Sequence, residues 1–506
     1  MIQRNKPLAR ALLYGLSLLL AVGMYVWYEQ ARSVPFSVDL SWMKSPDEFL
    51  EFQEVRLLQA YLRIDTSEPE GSEIEGAEWL AAQLREAGAE VTIERIGARN
   101  ANLWAIVEGK DPNNALVLQN HIDVNPIYRP DDWRHPPFGG VIEPPWIFGR
   151  GAFDMKSLTI AQLMAFRALL ERGETPEKTV IFLATGDEET GSHLGARWVL
   201  REHPELVARF GTVLTEGGAV EAVDTGRVKY WGTSFAQRRM VIVEACHHDP
   251  ARLEMLKEDL EYHASYVQAS PTRLTHESAL FLPIYGPTRD FVGYRELLAR
   301  PERLLEARPL LPMPKYVQSL VRNEATPYVI RPAPGGGWQL RIGVMLLPGV
   351  SLEEGLAEVL PEALVADVAL SIDTPGGSFV ASSDVDHPVY QGIARFMEEI
   401  RPDVVHGPLF VPWVATDARF FRAAGIPTFG FWPFAMLTVD TMSITSVNER
   451  IPLVPYIRGV EMYTRLVEAL AFDPVPEDAV AQSGAWPRAS TQRERTLDAV
   501  RTAASR

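Results

Sequence analysis

The chain has 506 residues, room for two or three domains, and its 46% hydrophobic and 23% charged content is that of a globular protein. Its formal net charge of −17, with no basic stretch to offset it, argues against a nucleic-acid partner. Cys246 is the single cysteine, so an intrachain disulfide is excluded.

In chain order the first feature is "ALLYGLSLLLAVGMYVWY", residues 11 to 28, a run without a charge that follows Arg4, Lys6 and Arg10. A run of this length can span a bilayer, and a basic flank keeps its own side in the cytoplasm. The reading is a transmembrane anchor over residues 1–30 of a single-pass membrane protein. Its N-terminus is then cytoplasmic and its catalytic part lies on the outer, periplasmic or extracytoplasmic side. A cleaved signal peptide competes, but Met24 to Tyr28 are bulky where a small-x-small cleavage site is needed.

Residues 47 to 63 and 77 to 87 carry apolar residues at helical spacing. "EVTIERI", "NLWAIVEG", "ALVLQN" and "TVIFLAT" read as strands, and "SLTIAQLMAFRALLERG" reads as a helix between two of them. Strand–helix–strand order indicates an α/β sheet, whose ligands gather beyond the carboxyl ends of its strands. "ARLEMLKEDLEYHASYV" is an amphipathic packing helix, too charged for a membrane. "PAPGGGW" is a hairpin connection, and the stretch from about residue 473 is a polar tail.

Three stretches place polar groups at strand ends. "LVLQNHIDVNP" runs an apolar strand into His121 and Asp123, which share a side of a strand, so that Asp123 can fix the imidazole tautomer. "GRGAFDMKS" puts Asp154 in a glycine-flanked turn before a helix, where alone it would read as an N-cap. "TVIFLATGDEETGS" ends a strand in Asp187, Glu188 and Glu189; adjacent carboxylates repel unless they share a cation or a proton.

Together "NHIDVNP", "WRHPPFGG", "FGRGAFDMKS", "TGDEETGS" and "LTEGG" resemble the successive motifs of the aminoacylase/carboxypeptidase S group of dinuclear zinc metallopeptidases, its membrane-anchored Gly-X carboxypeptidase-like members included. "LRIDTSEPEG", "ATDARFFRAAGIPTFGF" and "NERIPL" extend the likeness over roughly residues 45 to 472. The resemblance implies a catalytic domain with a mixed, mainly parallel sheet flanked by helices, interrupted by a smaller α/β lid of the dimerisation type. It implies catalytic segments at 45–226 and 376–472, a lid at 227–375 and a tail at 473–506. It further implies His121 and Glu216 on a first zinc, Glu189 on a second, Asp154 bridging both, Asp123 orienting His121, and Glu188 as general base. Two cations at such a site acidify a bound water and polarise a scissile carbonyl.

Three positions depart from the family pattern. Thr445 in "ITSVNER" stands where the family has a metal-binding histidine, and no histidine follows His406. The lid strand "MVIVEACHHDPARL" lacks the family's glycine pair and histidine; His247 or His248 is the available substitute. Met345 in "VMLLPG" stands where an arginine helps bind the substrate carboxylate. The expectation is a hydrolase of peptide or N-acyl amino acid amide bonds with one tight site for zinc or another divalent ion and a weaker second one. Its partners would be a small substrate, the membrane and, through the lid, a second copy of the chain. The alternative is an inactive relative that binds a peptide or partner in the lid cleft.

Overall fold

The computed structural model describes residues 45–69, 71–223, 227–266, 270–306, 314–373 and 382–472. The chain divides between Ser45 and Pro46, and every element below belongs to the unit that starts at Pro46. Helices α1 (Gln53–Leu62) and α2 (Glu73–Glu86) precede the antiparallel pair β1 (Val91–Ile96) and β2 (Asn100–Val107). The Ser72 hydroxyl caps α2 by accepting from Glu75 N, as a serine before an apolar periodic run should.

The core of the molecule is the sheet that follows. β3 (Asp111–His121) is exposed over its first four residues and buried from Ala115 onward. Two short strands, β4 (Val141–Glu143) and β5 (Trp146–Phe148), lead to helix α3 (Lys156–Arg172), which Gly173 ends with φ 67°. α3 returns the chain to β6 (Lys178–Thr185), and β7 (Phe210–Thr215), β8 (Ala219–Ala222) and β9 (Val228–Gln237) come next. With β14 (His406–Val411) and β15 (Thr428–Gly430) these strands form a nine-stranded mixed sheet in the order β1-β2-β6-β3-β7-β15-β9-β14, with β8 on β9. Pairing is parallel from β6 through β3 and β7 to β15. Such strands need cover on both faces, and β3, β6 and β7 are buried accordingly.

A second, antiparallel sheet has the order β11-β12-β10-β13, from β10 (Arg239–His247), β11 (Glu324–Pro332), β12 (Trp338–Leu346) and β13 (Ala369–Asp373). Helices α4 (Pro250–Tyr266) and α7 (Leu352–Val359) pack on it around Val241, Val243, Leu253, Leu256, Ile342 and Val344. Arg238 alone separates β9 in the large sheet from β10 in the small one. Helices α5 (His276–Tyr285) and α6 (Lys315–Ser319) contribute Phe281, Leu282 and Val317 to the core of the large sheet. The range 227–375 therefore holds strands and helices of both layers, with β10 to β13, α4 and α7 making the lid. Helices α8 (Pro388–Ile400), α9 (Ala418–Ala423) and α10 (Leu453–Phe472) complete the main layer, and β16 (Arg450–Pro452) pairs with β5.

The membrane placement needs correction. The span expected at residues 11 to 28 lies outside the described residues, as does the tail from residue 473. Among the described residues no helix is long and apolar enough to cross a membrane, which overturns the single-pass assignment and the outer-side location drawn from it. The 20-residue α10 carries Arg458, Glu461, Arg465 and Glu468, and buries Tyr456, Val460, Tyr463 and Val467 in the protein core instead.

One buried titratable group makes the fold sensitive to acid. His406, at the start of β14, is buried, its Nε2 lies 2.9 Å from the Thr233 hydroxyl, and its Nδ1 has no hydrogen-bond partner among the described residues. Burial pushes its pKa down from 6.5 to about 3. Between those values the unfolded chain binds a proton that the folded chain refuses, so stability falls as pH falls from 6.5 towards 3. At pH 5 this one group costs about 2 kcal/mol by linkage. His406→Gln, which keeps a neutral polar group, is expected to show an acid-induced loss between pH 7 and 5 smaller by about that amount. Urea unfolding at the two pH values measures the difference.

Candidate active site

Three adjacent parallel strands, β6, β3 and β7, end side by side, and each hands one polar segment to the same place. β3 ends on His121. β6 leads through Gly186 into Asp187, Glu188 and Glu189. β7 leads into Glu216. Asp154 arrives from the turn before α3. This is the carboxyl-end location where α/β sheets collect ligands.

His121 Nε2 lies 3.1 Å from Asp154 Oδ1, and its Nδ1 lies 2.9 Å from the Asp123 backbone carbonyl. His121, Asp154 and Glu216 each turn a ligand atom to one point, all within 4.8 Å of one another. Glu188 is buried and Glu189 half-buried beside them, and one buried carboxyl oxygen of each accepts no hydrogen bond among the described residues. Burial, then Glu216, raises the Glu188 pKa well above the carboxylate range. Burial, then Asp154, does the same to Glu189, and the same two causes bring Glu216 to about 8. Burial opposes charge on His121, yet hydrogen bonds to Asp123 and Asp154 hold its pKa well above 6.5. Carboxylates and an imidazole crowded together, two of the carboxylates with an orphaned oxygen, are a donor set that suits divalent metal ions.

Asp123 approaches the ring with two groups. It lies past the end of β3 and reaches His121 Nδ1 through its carbonyl, while its carboxylate stands 3.6 Å from that nitrogen. The carboxylate accepts from Glu188 N at 3.1 Å and Glu189 N at 2.9 Å, so one residue sets the imidazole and the acidic turn together. Asp154 is not an N-cap: Met155 holds that position, without a side-chain cap. Asp187 is spent on the turn itself. It has φ 61°, its carboxylate accepts from Leu194 N at 2.8 Å and from the Thr190 hydroxyl, and its carbonyl accepts from Ser192 N.

Three residues of the site carry no role in the sequence reading, although the quoted motifs contain them. Glu449, in "NERIPL", accepts from Phe153 N at 2.8 Å and Asp154 N at 3.0 Å, and pairs at 2.7 Å with Arg150, both side chains being buried. Asp417 lies behind the cluster, accepting from Gln119 at 3.1 Å, Thr185 at 3.3 Å and the Ser192 hydroxyl. Arg419, on α9, is close enough to bear on the charges of Glu216 and Asp417, and its buried Nε has no acceptor among the described residues. Residue type alone does not tell a structural acid such as Glu449 or Asp417 from a ligand, and no local pattern marks Arg419 as lying near Glu216.

Thr445 sits in a turn before β16 at φ 51°, a conformation unusual for a β-branched residue. His247 closes β10 at the end away from Arg238, with the His248 ring 4.2 Å from its own, so neither histidine joins the acidic cluster. Met345 is buried on β12.

An acidic, imidazole-bearing cluster at the carboxyl ends of a mixed sheet, with a smaller α/β lid, is the layout of an amide-hydrolysing metalloenzyme. The model for Peptidase family M20/M25/M40 matches residues 117–469, and the chain belongs to that family. Rat aminoacylase-1A is 24% identical over 446 residues, covering 85% of this chain and 98% of its own length. Among solved structures, human carnosine dipeptidase 1 superposes with a TM-score of 0.63 at 16% identity, covering 84% of this chain and 96% of its own. The M20 family metallo-carboxypeptidase Sso-CP2 from Sulfolobus solfataricus gives 0.58 at 16%, covering 83% and 99%.

The Arg150–Glu449 pair permits a test of how the Asp154 turn is held. Glu449→Ala leaves a buried guanidinium without its partner and two amides without their acceptor. It should destabilise the protein by roughly 3 kcal/mol and speed hydrogen exchange at the Phe153 and Asp154 amides. Exchange at β3 amides, read in the same experiment, should follow only the global loss.

Proposed function

We propose that the enzyme hydrolyses the amide bond of small peptides or N-acyl amino acids, with a metal centre on His121, Asp154 and Glu216, a weaker second position at Glu189, and Glu188 as the general base. The observation that carries this reading is the convergence of three ligand atoms within 4.8 Å beside two carboxyl groups with buried, unused oxygens. Divalent cations held there, zinc foremost, would polarise the scissile carbonyl and make an attacking water more acidic.

The chain's own groups supply the remainder. Glu188 is placed to take the proton of the attacking water on a carboxyl oxygen and return it to the departing amine nitrogen. Asp123 keeps Glu188 and Glu189 in register through their two amides, and its carbonyl holds the His121 Nδ1 proton, so that Nε2 points at the ligand position. Arg419 offers a guanidinium beside Glu216, the group a free substrate carboxylate would need once Met345 has replaced the lid arginine. The names of the relatives, an aminoacylase and a dipeptidase, agree with a small substrate of this kind.

Glu188→Gln should lower kcat by roughly 10²–10⁴-fold, because an amide cannot accept the proton, while metal content per chain stays unchanged. Assays with a panel of N-acyl amino acids and dipeptides, beside elemental analysis, check both halves; loss of metal would make Glu188 a ligand instead.

The second position lacks an imidazole, and a hydroxyl such as that of Thr445 is a poor substitute. Dialysed protein should therefore keep about one divalent ion per chain and take up another only at higher metal concentration. Thr445→His should add a second tight ion. Its backbone, at φ 51°, is one that histidine adopts more readily than threonine, so the substitution should leave the thermal midpoint unchanged or raised. Two equally tight ions in the unmodified protein would contradict the assignment.

A further inference from the structure

We propose that the lid sheet and the loop after β14 form an apolar subsite, built from Met240, Met345 and Trp413, that takes the apolar part of the substrate beyond the scissile amide. This rests on the amide hydrolysis proposed above and specifies what the substrate carries.

The register of the lid sheet places the groups. Glu324, Met345 and Met240 are cross-strand partners in one row of β11, β12 and β10, so they share a face. Their neighbours Ala325, Val344, Leu346 and Val241 point the other way, into the lid core. Neither methionine belongs to any of the three apolar cores of the described residues.

The direction in which that face looks follows from Glu324. Its carboxylate accepts from Arg238 Nη2 at 2.8 Å and from the Ser319 hydroxyl at 2.9 Å. Ser319 in turn accepts from the Trp413 indole at 2.8 Å, while Arg238 Nε donates to the Pro412 carbonyl at 2.6 Å. The row therefore faces the loop that leaves β14, which the buried Arg238 holds at the Pro412 carbonyl and Ser319 holds at the Trp413 indole.

These contacts fix an exposed ring. Trp413 stays 52% exposed and Val414 46% exposed, although the indole N–H is already satisfied inside the protein. What is left outside is an apolar face held in one orientation, at low ordering cost to a ligand. Three residues further on, Thr416 hydrogen-bonds Gln237 at 3.0 Å and lies against Gly217, next to Glu216. Three residues span about 11 Å at most, so the backbone that carries Trp413 lies within that reach of Thr416 at the edge of the catalytic cluster. Methionine side chains adapt to irregular apolar shapes, which suits a chain of variable length. At position 345 the group presented on this face is an apolar thioether.

The apolar part could be an acyl chain or an amino-acid side chain, and two substrate series separate them. Full-length, metal-loaded protein would be assayed for kcat/KM on N-acetyl, N-hexanoyl and N-decanoyl derivatives of one amino acid, and on N-acetyl derivatives of alanine, leucine and phenylalanine. Along at least one series kcat/KM is expected to rise by about tenfold or more. Trp413→Ser, and Met240→Ser combined with Met345→Ser, should remove most of that rise, while Trp413→Phe should retain it. Flat profiles in both series, or a rise that survives the serine variants, would overturn the subsite while leaving the hydrolase reading intact. Failure to cleave any member would overturn the hydrolase reading itself. Should Trp413→Ser not fold, the methionine pair, which contributes to no core, decides the question.

Discussion

The constraint on which the structure turns is the gathering of Asp123, Asp154, Glu188, Glu189, Glu216 and Asp417 around one buried imidazole, with Asp123, Glu188 and Asp417 themselves buried. Buried carboxylates are tolerated only when each oxygen meets a donor or a cation. Asp123 is satisfied by two backbone amides, Asp417 by three polar side chains, and Glu449 by two amides and the Arg150 guanidinium. His121, Asp154 and Glu216 hold ligand atoms within 4.8 Å of one another, and Glu188 and Glu189 beside them each keep an oxygen without a donor among the described residues. The parallel β6-β3-β7 core exists, in functional terms, to bring those segments to a common edge.

Much of this was legible in the sequence because strand-end polar residues after long apolar runs have few structural uses. The strands leading to His121 and Glu188, and helix α3 after Asp154, lie where periodicity puts them, whereas β7 before Glu216 was not read as a strand. What could not be read is how each acid spends its oxygens. Asp187 looks like a member of the acidic triplet but closes a turn, which only its φ of 61° and its partners reveal. Asp123, expected to orient His121, brings its carbonyl to 2.9 Å and its carboxylate to 3.6 Å of His121 Nδ1, a division that no pattern in the sequence specifies. Glu449 works across a sequence separation of 295 residues to the amide of Asp154, a distance that no local pattern encodes. The expected membrane span is a different case: residues 11 to 28 lie outside the described residues, and among those described no helix is long and apolar enough to cross a membrane.

The lid shows how a fold keeps its frame while its recognition chemistry drifts. Arg238 and Glu324 lock the junction between the two sheets with buried charge, and removing one partner alone would strand the other. The neighbouring row position, Met345, carries no such obligation and is free to exchange an arginine for a thioether. Arg419 on α9 brings a cation near Glu216, and the lid row at Met345 brings none.

The central claim is that the buried acids form a metal centre, and anomalous X-ray diffraction from crystals of the full chain grown with zinc tests it most directly. The account predicts an anomalous peak within about 2.0–2.3 Å of His121 Nε2 and of carboxylate oxygens of Asp154 and Glu216. No peak at that position, or the strongest protein-bound peak at the His247–His248 pair of the lid, would contradict it.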